Sequence, residues 1–300
     1  MNAFLDALIS EFQDLLDDAI VVEGLTRYYS SFKAVDGLSF RAKRGTVFGL
    51  LGPNGAGKST TIKMLTCQLE PTSGKAFVCG YDTSRDSREV KRRIGVVFEQ
   101  QNLYDELSAY DNLDFFRQLH GLDKKSTDRV LGIVGMSEHS KKAVGKFSKG
   151  MKQKIMIARA LINDPEVLFL DEPTSGLDPQ SSRELRQLVC TLRDQGKTII
   201  LTTHNMEEAD LLCDRLAIIH KGKIVAEDTP GQLKKKYGED VLSIETTDGE
   251  TIESPLNTSA SGELFQKLSA EKKIYTVRSK EATLEDVFIR LTGERWAHEP

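Results

Sequence analysis

A glycine-rich turn early in the chain constrains its fold more than any other feature. The turn consists of Gly52, Pro53, Asn54, Gly55, Ala56, Gly57, Lys58, Ser59 and Thr60. It follows an apolar run at residues 47–51 and leads into a helical pattern at residues 61–65. Glycines adopt backbone conformations closed to other residues, so consecutive N–H groups of the turn can point inward at the positive end of a helix. The pattern predicts a strand, a phosphate-binding loop and a helix.

The end of this turn supplies the side chains that a bound nucleotide triphosphate needs. Lys58 is expected to reach the β and γ phosphates, and the Ser59 hydroxyl is expected to bind Mg²⁺. The alternative is an ordinary glycine-rich turn that happens to end in Lys-Ser. The strand before the turn and the helix after it favour the nucleotide interpretation.

A pair of carboxylates follows the apolar run at residues 167–170. These are Asp171 and Glu172. Open α/β sheets bind ligands at the carboxyl ends of their strands, so Asp171 is expected to hold Mg²⁺, directly or through water. Glu172 is expected to accept a proton from an attacking water. The alternative is a strand that simply ends in a polar turn, and the phosphate loop earlier in the chain makes the catalytic interpretation preferable.

The composition disfavours several classes of protein. The 300 residues are 39% hydrophobic and 29% charged, and the formal net charge of −4 provides no general basic field for nucleic acid. No apolar stretch approaches the roughly 20 residues that cross a bilayer, and the start lacks a basic segment before an apolar core. The cysteines lack paired spacing, which argues against zinc and disulfides; they are Cys67, Cys79, Cys190 and Cys213. We therefore expect a soluble intracellular protein with no nucleic-acid partner.

The distribution of apolar residues divides the chain into zones. Residues 1–19 have the pattern of an acidic amphipathic helix, expected to dock on its own domain or on a partner. Strand and helix patterns alternate over residues 20–238, with a mainly helical insert at about residues 100–146. Residues 239–300 are more polar and predict a small α+β domain. The predicted fold class is α/β with a mainly parallel sheet core.

Two longer segments resemble landmarks of a known family. Residues 171–179 read Asp-Glu-Pro-Thr-Ser-Gly-Leu-Asp-Pro, and residues 147–153 read Phe-Ser-Lys-Gly-Met-Lys-Gln. Both look like motifs of the ATP-binding cassette ATPases, and the match covers about residues 20–230 in the family's order and spacing. The resemblance implies ATP hydrolysis with ATP and Mg²⁺ bound. It also implies a P-loop NTPase fold with an antiparallel β subdomain, a helical insert and a C-terminal appendage.

In the family that these motifs resemble, two cassettes meet head to tail, and each ATP lies between the phosphate loop of one and the signature segment of the other. The resemblance therefore implies a second ATPase subunit as a partner. Ser148, Lys149 and Gly150 would then lie at the γ-phosphate across the dimer. Asp178 matches the residue through which the two nucleotide sites communicate, although a helix N-terminal turn before Pro179 explains the same residue.

The resemblance also implies roles for further individual residues. Tyr29 matches the aromatic residue that stacks on adenine, with Tyr28 as the competing choice. His204 matches the switch histidine that contacts the γ-phosphate and supports Glu172. The resemblance thus implies Glu172, His204 and Lys58 as the catalytic residues.

Two segments depart from the family's pattern. Glu99 stands where a glutamine of the family usually coordinates Mg²⁺. The glutamate keeps an oxygen ligand for the metal but adds a negative charge. Gln100 would take the place of that glutamine only if the loop shifts by one residue. In the signature, Phe147, Lys149 and Met151 replace the commoner Leu, Gly and Gln. Lys149 adds positive charge near the opposite γ-phosphate. It belongs to a basic run that comprises Lys141, Lys142, Lys146, Lys149, Lys152 and Lys154. A solvated helical face is preferred over a nucleic-acid patch as the explanation of this run.

The resemblance also implies a separate membrane permease. The insert at about residues 100–146 corresponds to the family's docking surface for the permease's cytoplasmic helices. This places the chain as a peripheral subunit on the cytoplasmic face of the cell membrane. Residues 201–214 and 281–288 look like the branch that exports drugs, sodium, lipids or polysaccharides. Non-transport cassette ATPases that act on nucleic acid or ribosomes remain the alternative.

Overall fold

The computed structural model describes residues 17–256 and 258–295, and the chain divides into two compact units between Val225 and Ala226. The helix predicted over residues 1–19 lies outside the described residues except at its end. There the prediction is wrong, because Asp18 and Ala19 belong to the first strand, in which Asp18 lies opposite Lys43 of the next strand.

The first unit begins with an antiparallel sheet. Its strands are β1 (Asp18–Tyr29), β2 (Phe32–Lys43), β4 (Ser73–Val78) and β5 (Tyr81–Asp82), in the order β2-β1-β4-β5. On β2, the buried residues Leu38, Phe40 and Ala42 alternate with exposed residues, which is the pattern of a sheet with one solvated face. This sheet is the antiparallel subdomain that the family resemblance implies.

A second, mainly parallel sheet carries the functional edge of the molecule. Its strands are β3 (Val47–Leu51), β6 (Ile94–Val97), β7 (Val167–Asp171), β8 (Thr198–Thr203), β9 (Arg215–His220) and β10 (Lys223–Asp228), in the order β10-β9-β3-β8-β7-β6. The pairs β6–β7, β7–β8, β8–β3 and β3–β9 are parallel. Strands β3, β7 and β8 are buried over their whole length, as expected where helices cover both faces. The predicted α/β core is confirmed.

Helices follow and connect the parallel strands. They are α1 (Lys58–Leu65), α2 (Ser87–Arg93), α5 (Lys149–Ala160), α6 (Pro179–Asp194) and α7 (Met206–Leu212). Helix α6 links β7 to β8, and α7 links β8 to β9, so helices make the connections between these three strands. Helix α6 begins at Pro179 because the Asp178 side chain caps its first turn.

The helical insert lies between β6 and α5. It contains α3 (Ala109–Leu119), α4 (Lys125–Ile133) and two short 3₁₀ turns at residues 137–139 and 144–146. The buried Asn112 amide accepts a 2.9 Å hydrogen bond from the Tyr104 N–H and donates a 3.0 Å bond to the Tyr104 carbonyl. This pairing ties the incoming loop to α3 without leaving a buried amide unsatisfied.

A common core joins the two sheets of the first unit. Phe40 of β2 stacks on Phe48 of β3, with ring centroids 5.1 Å apart. Both side chains belong to one buried apolar cluster that also includes Ile62 of α1 and Phe169 of β7. Each fully buried side chain of this size contributes on the order of 2 kcal/mol to folding. The same cluster therefore supports β3 and β7, which lead to the glycine-rich turn and the acidic pair.

The second unit is the small α+β domain predicted from the polar tail. It contains α8 (Pro230–Tyr237), β11 (Val241–Thr246), β12 (Thr251–Pro255), α9 (Ser259–Ala270), β13 (Ile274–Lys280) and α10 (Leu284–Thr292), with sheet order β12-β11-β13. The predicted boundary after residue 238 falls later than the observed division, because α8 lies in the second unit and contacts α10. Among the helices described, none has the length and apolar character needed to cross a membrane.

Candidate functional site

Three adjacent parallel strands bring the predicted site residues together. Strands β3, β8 and β7 are neighbours in the sheet, and their carboxyl ends lie at one edge. The glycine-rich turn follows β3, Glu172 follows β7, and His204 follows β8. Segments that are far apart in sequence therefore meet at the edge where open α/β sheets bind their ligands.

The glycine-rich turn needs glycine for two structural reasons. Gly57 caps α1 with a φ of 109°, and a Cβ atom there would lie 2.6 Å from the Ala34 carbonyl oxygen. At Gly52, a Cβ atom would lie 2.4 Å from the Ile219 carbonyl oxygen. Both distances are far below normal contact, so larger residues would displace the turn. The backbone can thus approach a ligand closely at the N-terminus of α1.

The Lys58 ammonium is held at the mouth of the turn. Its Nζ atom donates to the Gly52 carbonyl at 2.6 Å and to the Pro53 carbonyl at 3.3 Å. It also lies 3.1 Å from Glu172 Oε1, and only 5% of the lysine is exposed. A buried cation held by three oxygen atoms at the mouth of the turn is positioned for phosphate oxygens rather than for bulk solvent.

Glu172 and His204 form a direct pair. Glu172 Oε2 lies 2.8 Å from His204 Nδ1 and accepts a 3.2 Å hydrogen bond from the His204 N–H. The Glu172 backbone is in the left-handed region, with a φ of 50°, and its N–H donates to the Thr202 carbonyl and hydroxyl, each at 3.1 Å. A non-glycine residue in this conformation is strained by about 1–3 kcal/mol, as residues at functional sites often are. No sequence pattern predicts this left-handed conformation at Glu172.

Oxygen donors for a metal ion meet at Asp171. The Ser59 hydroxyl donates to Asp171 Oδ1 at 3.2 Å, and the Thr202 hydroxyl donates to the same oxygen. Adjacent ligands of an octahedral Mg²⁺, bound at about 2.1 Å, lie about 3 Å apart, so Ser59 and Asp171 fit this ion. In the part of the chain that is described, no cluster of three or more His, Cys, Asp or Glu side chains suits a metal. The donor set therefore suits an ion that takes its other ligands from phosphate and water.

A cleft of about 210 Å³ lies beside the glycine-rich turn. Besides residues 53–60 of the turn, its lining includes Tyr29, Phe32, Ala34, Glu99 and Glu172. Glu99 therefore lines the cleft, whereas Gln100 does not. Phe32 lines the cleft as well but was not predicted as a site residue. Its aromatic side chain is 62% exposed, which the structure shows and the sequence does not.

The choice between the two tyrosines follows from their neighbours. The Tyr29 ring lines the cleft, whereas the Tyr28 ring lies under Lys33, whose Nζ atom is 5.1 Å from the ring centroid. Hydrogen bonds with Tyr28 and then with Asp36 raise the pKa of Lys33 to about 12. Both rings therefore contact a cation, because the Arg27 guanidinium lies 5.2 Å from the Tyr29 centroid. Tyr29 is the tyrosine that lines the cleft beside the turn.

The signature segment forms the start of α5. The Ser148 side chain caps the helix by accepting a 3.2 Å hydrogen bond from the Met151 N–H. Gly150 packs so closely on α6 that a Cβ atom there would lie 2.4 Å from Ser181 Oγ. The Lys149 ammonium reaches Gly176 in the loop after Glu172. None of Ser148, Lys149 and Gly150 lines the cleft beside the turn of the same chain.

Asp178 acts as a helix cap in this structure. Its carboxylate accepts hydrogen bonds from the Ser181 hydroxyl at 2.6 Å and from the Ser181 N–H at 2.9 Å. The hydroxyl bond, followed by the backbone bond, lowers the pKa of the Asp178 carboxyl. The capping explanation of Asp178 is therefore correct, and its role in communication between nucleotide sites stays a prediction.

The basic run near the signature is partly neutralised. Lys152 Nζ lies 2.8 Å from Asp105 Oδ1, and Lys154 Nζ lies 2.6 Å from Glu184 Oε2. These pairs reduce the positive charge that the run presents to solvent, which supports the interpretation as a solvated helical face.

Comparisons with known proteins identify a family for this chain. The family model described as ABC transporter matches residues 35–175, which include the glycine-rich turn and the acidic pair. A model described as an AAA domain, putative AbiEii toxin, Type IV TA system, matches residues 143–210.

Curated relatives match nearly the whole chain. A fluoroquinolones export ATP-binding protein of Mycobacterium tuberculosis is 42% identical over 284 residues, covering 93% of this chain and 94% of the relative. A daunorubicin resistance ATP-binding protein of Streptomyces coeruleorubidus is 35% identical over 308 residues, covering 93% of this chain and 98% of the relative. A solved dimeric ATP-binding cassette, in a post-hydrolysis state bound to ADP and Pi, has a TM-score of 0.63 and 26% identity, covering 70% of this chain and 98% of that one.

Proposed function

The chain belongs to the ATP-binding cassette family of transporter ATP-binding proteins, and we propose that it powers a separate membrane permease that exports its cargo. It is an ATPase and the nucleotide-binding subunit of such a transporter. The relatives from M. tuberculosis and S. coeruleorubidus are ATP-binding proteins of fluoroquinolone export and of daunorubicin resistance. Their activities favour export over import as the direction of transport by this chain.

One observation carries the catalytic part of the proposal. The two oxygens of Glu172 contact different partners, with Oε1 at 3.1 Å from Lys58 Nζ and Oε2 at 2.8 Å from His204 Nδ1. Oε1 is buried and has no hydrogen bond of normal geometry, even to Lys58. One oxygen is thus fixed by the histidine, while the other remains available to accept a proton next to a phosphate-binding lysine.

The reaction follows from these contacts. The triphosphate of ATP lies in the glycine-rich turn, and phosphate oxygens replace Glu172 as partners of Lys58. A water then attacks the γ-phosphorus in line, the bond to the β–γ bridging oxygen breaks, and Glu172 Oε1 takes the water proton. His204 holds Glu172 Oε2 through its Nδ1 atom, 2.8 Å away, and so orients the carboxylate. The products are ADP and inorganic phosphate.

Mg²⁺ is the metal ion that the site fits. Asp171 and Ser59 would hold it, and Glu99 faces the same cleft with a further carboxylate. When bound, the ion neutralises charge on the phosphate oxygens during transfer. The additional charge of Glu99, compared with the usual glutamine, is expected to strengthen the site's dependence on the divalent ion.

The signature segment requires a second subunit in this proposal. Ser148, Lys149 and Gly150 lie at the N-terminus of α5, where N–H groups and the helix dipole favour an anion. Because they do not line the cleft of their own chain, we infer that they contact ATP bound to the partner in a head-to-tail dimer. ATP then favours the closed dimer because it contacts both subunits, and hydrolysis removes those contacts.

The helical insert offers a surface for the permease. Tyr104, Phe115 and Leu119 are 53%, 50% and 71% exposed, respectively. The Tyr104 and Phe115 rings contact each other edge to face, 6.0 Å apart. An exposed apolar patch of this kind suits the apolar face of a short helix from a membrane subunit. This docking would hold the chain at the cytoplasmic face of the membrane.

Replacing Tyr29 with alanine is expected to raise the KM for ATP about tenfold, because base–aromatic stacking contributes about 1–3 kcal/mol. The matched control is Tyr28→Ala, which removes the neighbouring ring that contacts Lys33 and should leave the KM for ATP within about twofold of the wild-type value. Steady-state ATPase assays measure both. A larger increase in KM for Tyr28→Ala than for Tyr29→Ala would show that the adenine lies on the other tyrosine.

The transport function is tested by capture of the partner. Tagged Glu172→Gln protein with Mg-ATP is added to gently solubilised native membranes, and the co-purifying proteins are identified. Lys58→Met protein, which is expected to bind ATP poorly, is the matched control. Recovery of a multi-span permease with the first variant supports the proposal. Recovery of only soluble or nucleic-acid-associated proteins contradicts it and favours a non-transport ATPase.

A further inference from the structure

A buried carboxyl group that the proposed reaction does not use lies next to the catalytic pair. Glu208 is in the first turn of α7, and only 1% of it is exposed. Its Oε1 atom accepts a 2.7 Å hydrogen bond from the Thr174 hydroxyl, whereas Oε2 is buried and has no hydrogen bond of normal geometry among the described residues. Leaving a buried polar atom unpaired is unfavourable, so packing alone does not account for a glutamate at this position.

Glu208 connects the two segments that carry Glu172 and His204. Thr174 lies in the loop that begins at Glu172, and Asn205, which follows His204, accepts a 2.9 Å hydrogen bond from the Glu208 N–H through its side chain. The contact between Glu172 and His204 joins the two segments directly. The bond from Thr174 to Glu208 joins them a second time, so the spacing of the catalytic pair is fixed at two points.

The surroundings of Glu208 favour its neutral form. Burial raises the pKa of the carboxyl, and the nearby charge of Glu172 raises it further. The Thr203 and Thr174 hydroxyls and the charge of Arg186 act in the opposite direction without restoring the ordinary value. A neutral acid can accept the Thr174 bond through its carbonyl oxygen and adds no negative charge beside Glu172.

We propose that Glu208 is a positioning residue that, through Thr174, sets the spacing between Glu172 and His204. The inference rests on the proposed catalytic roles of those two residues. It predicts that kcat depends on a hydrogen-bond acceptor at residue 208 and does not depend on a negative charge there. Glutamine keeps an acceptor oxygen in nearly the same place, whereas leucine keeps most of the volume and lacks the acceptor.

The test compares variants of the full chain in steady-state ATPase assays. Glu208→Leu is expected to lower kcat about tenfold or more with little change in the KM for ATP, because misplacing a catalytic group by about 1 Å can cost 100-fold. Glu208→Gln should restore kcat to within about threefold of wild type, since it keeps the bond to Thr174. Glu207→Leu is the matched control on the same helix, because Glu207 is exposed and has no bond to Thr174.

Thr174→Val provides an independent test from the other side of the bond. Thr174 is half-buried, so this variant is expected to fold even if Glu208→Leu does not. It should lower kcat as Glu208→Leu does, and the double variant should be no slower than the slower single one, since both remove one interaction. Normal kcat in Thr174→Val, or a kcat for Glu208→Gln as low as for Glu208→Leu, would overturn the inference. Unchanged kcat in Glu172→Gln would instead refute the proposed reaction.

Discussion

Glu172→Gln is expected to reduce ATP turnover by about 100-fold or more, because loss of a general base typically costs 10²–10⁴-fold. The amide keeps the size of the side chain and an oxygen for His204, but it cannot take the water proton from Oε1. It also removes a negative charge that lies 3.1 Å from Lys58 and faces the bound phosphates. ATP binding should therefore persist or strengthen while hydrolysis slows.

The same variant is expected to accumulate as an ATP-bound dimer. Hydrolysis is the step that removes the contacts between ATP and the two subunits, so blocking it leaves the closed state favoured. Size-exclusion chromatography with light scattering in Mg-ATP measures the mass, and phosphate release measures turnover. Glu207→Gln, which changes an exposed carboxylate on α7, is the matched control and should behave as wild type. A Glu172→Gln protein that binds ATP at saturation and remains monomeric would refute the shared-site model for the isolated chain.

Lys58→Met is expected to weaken ATP binding and to reduce kcat/KM by about 100- to 1000-fold, the loss typical of removing one preorganised donor to a developing charge. Methionine keeps much of the buried aliphatic volume, so the effect reports the ammonium group. The change also leaves Glu172 without its cationic neighbour in a site where that carboxylate is only 8% exposed. Some loss of stability in the absence of nucleotide is expected as well.

The matched control for this variant lies on the same helix. Lys63 is exposed on α1, and Lys63→Met should leave both ATP binding and turnover within about twofold of wild type. Titration with a fluorescent ATP analogue and thermal unfolding separate binding from stability. If Lys58→Met bound ATP as tightly as Lys63→Met does, the phosphates could not lie at Lys58, and the position of ATP would have to be revised.

The ATPase core was predicted from the sequence with good accuracy because its signals are local. The apolar runs before Gly52 and Asp171 become the buried strands β3 and β7, since a parallel sheet covered on both faces needs apolar side chains on both. The βα alternation gave the class of fold, and the motif order gave the family. The start of an individual helix depends on its cap, as where Asp178 starts α6 at Pro179.

The second unit was harder to predict because its local sequence signals are weak. Strand β12 has Ile252 as its one large aliphatic residue, so hydrophobic periodicity gives almost no signal there, and it is defined by pairing with β11. Helix α9 was also not predicted. Its Thr258 capping box is a local signal that sequence inspection can use, but its apolar stripe is weak.

The sequence by itself determined the family, the fold class and the identity of the residues at the phosphate end of the site, because each depends on a contiguous pattern. Tertiary structure decided which tyrosine faces the turn, how Glu172 divides its two oxygens between Lys58 and His204, and that Glu208 bonds to Thr174. The contacts of Glu172 with Lys58 and His204, and of Glu208 with Thr174, join segments that lie 30 or more residues apart. Sequence spacing carries no information about the distance between such side chains until the strands are paired and the core sets their ends in place.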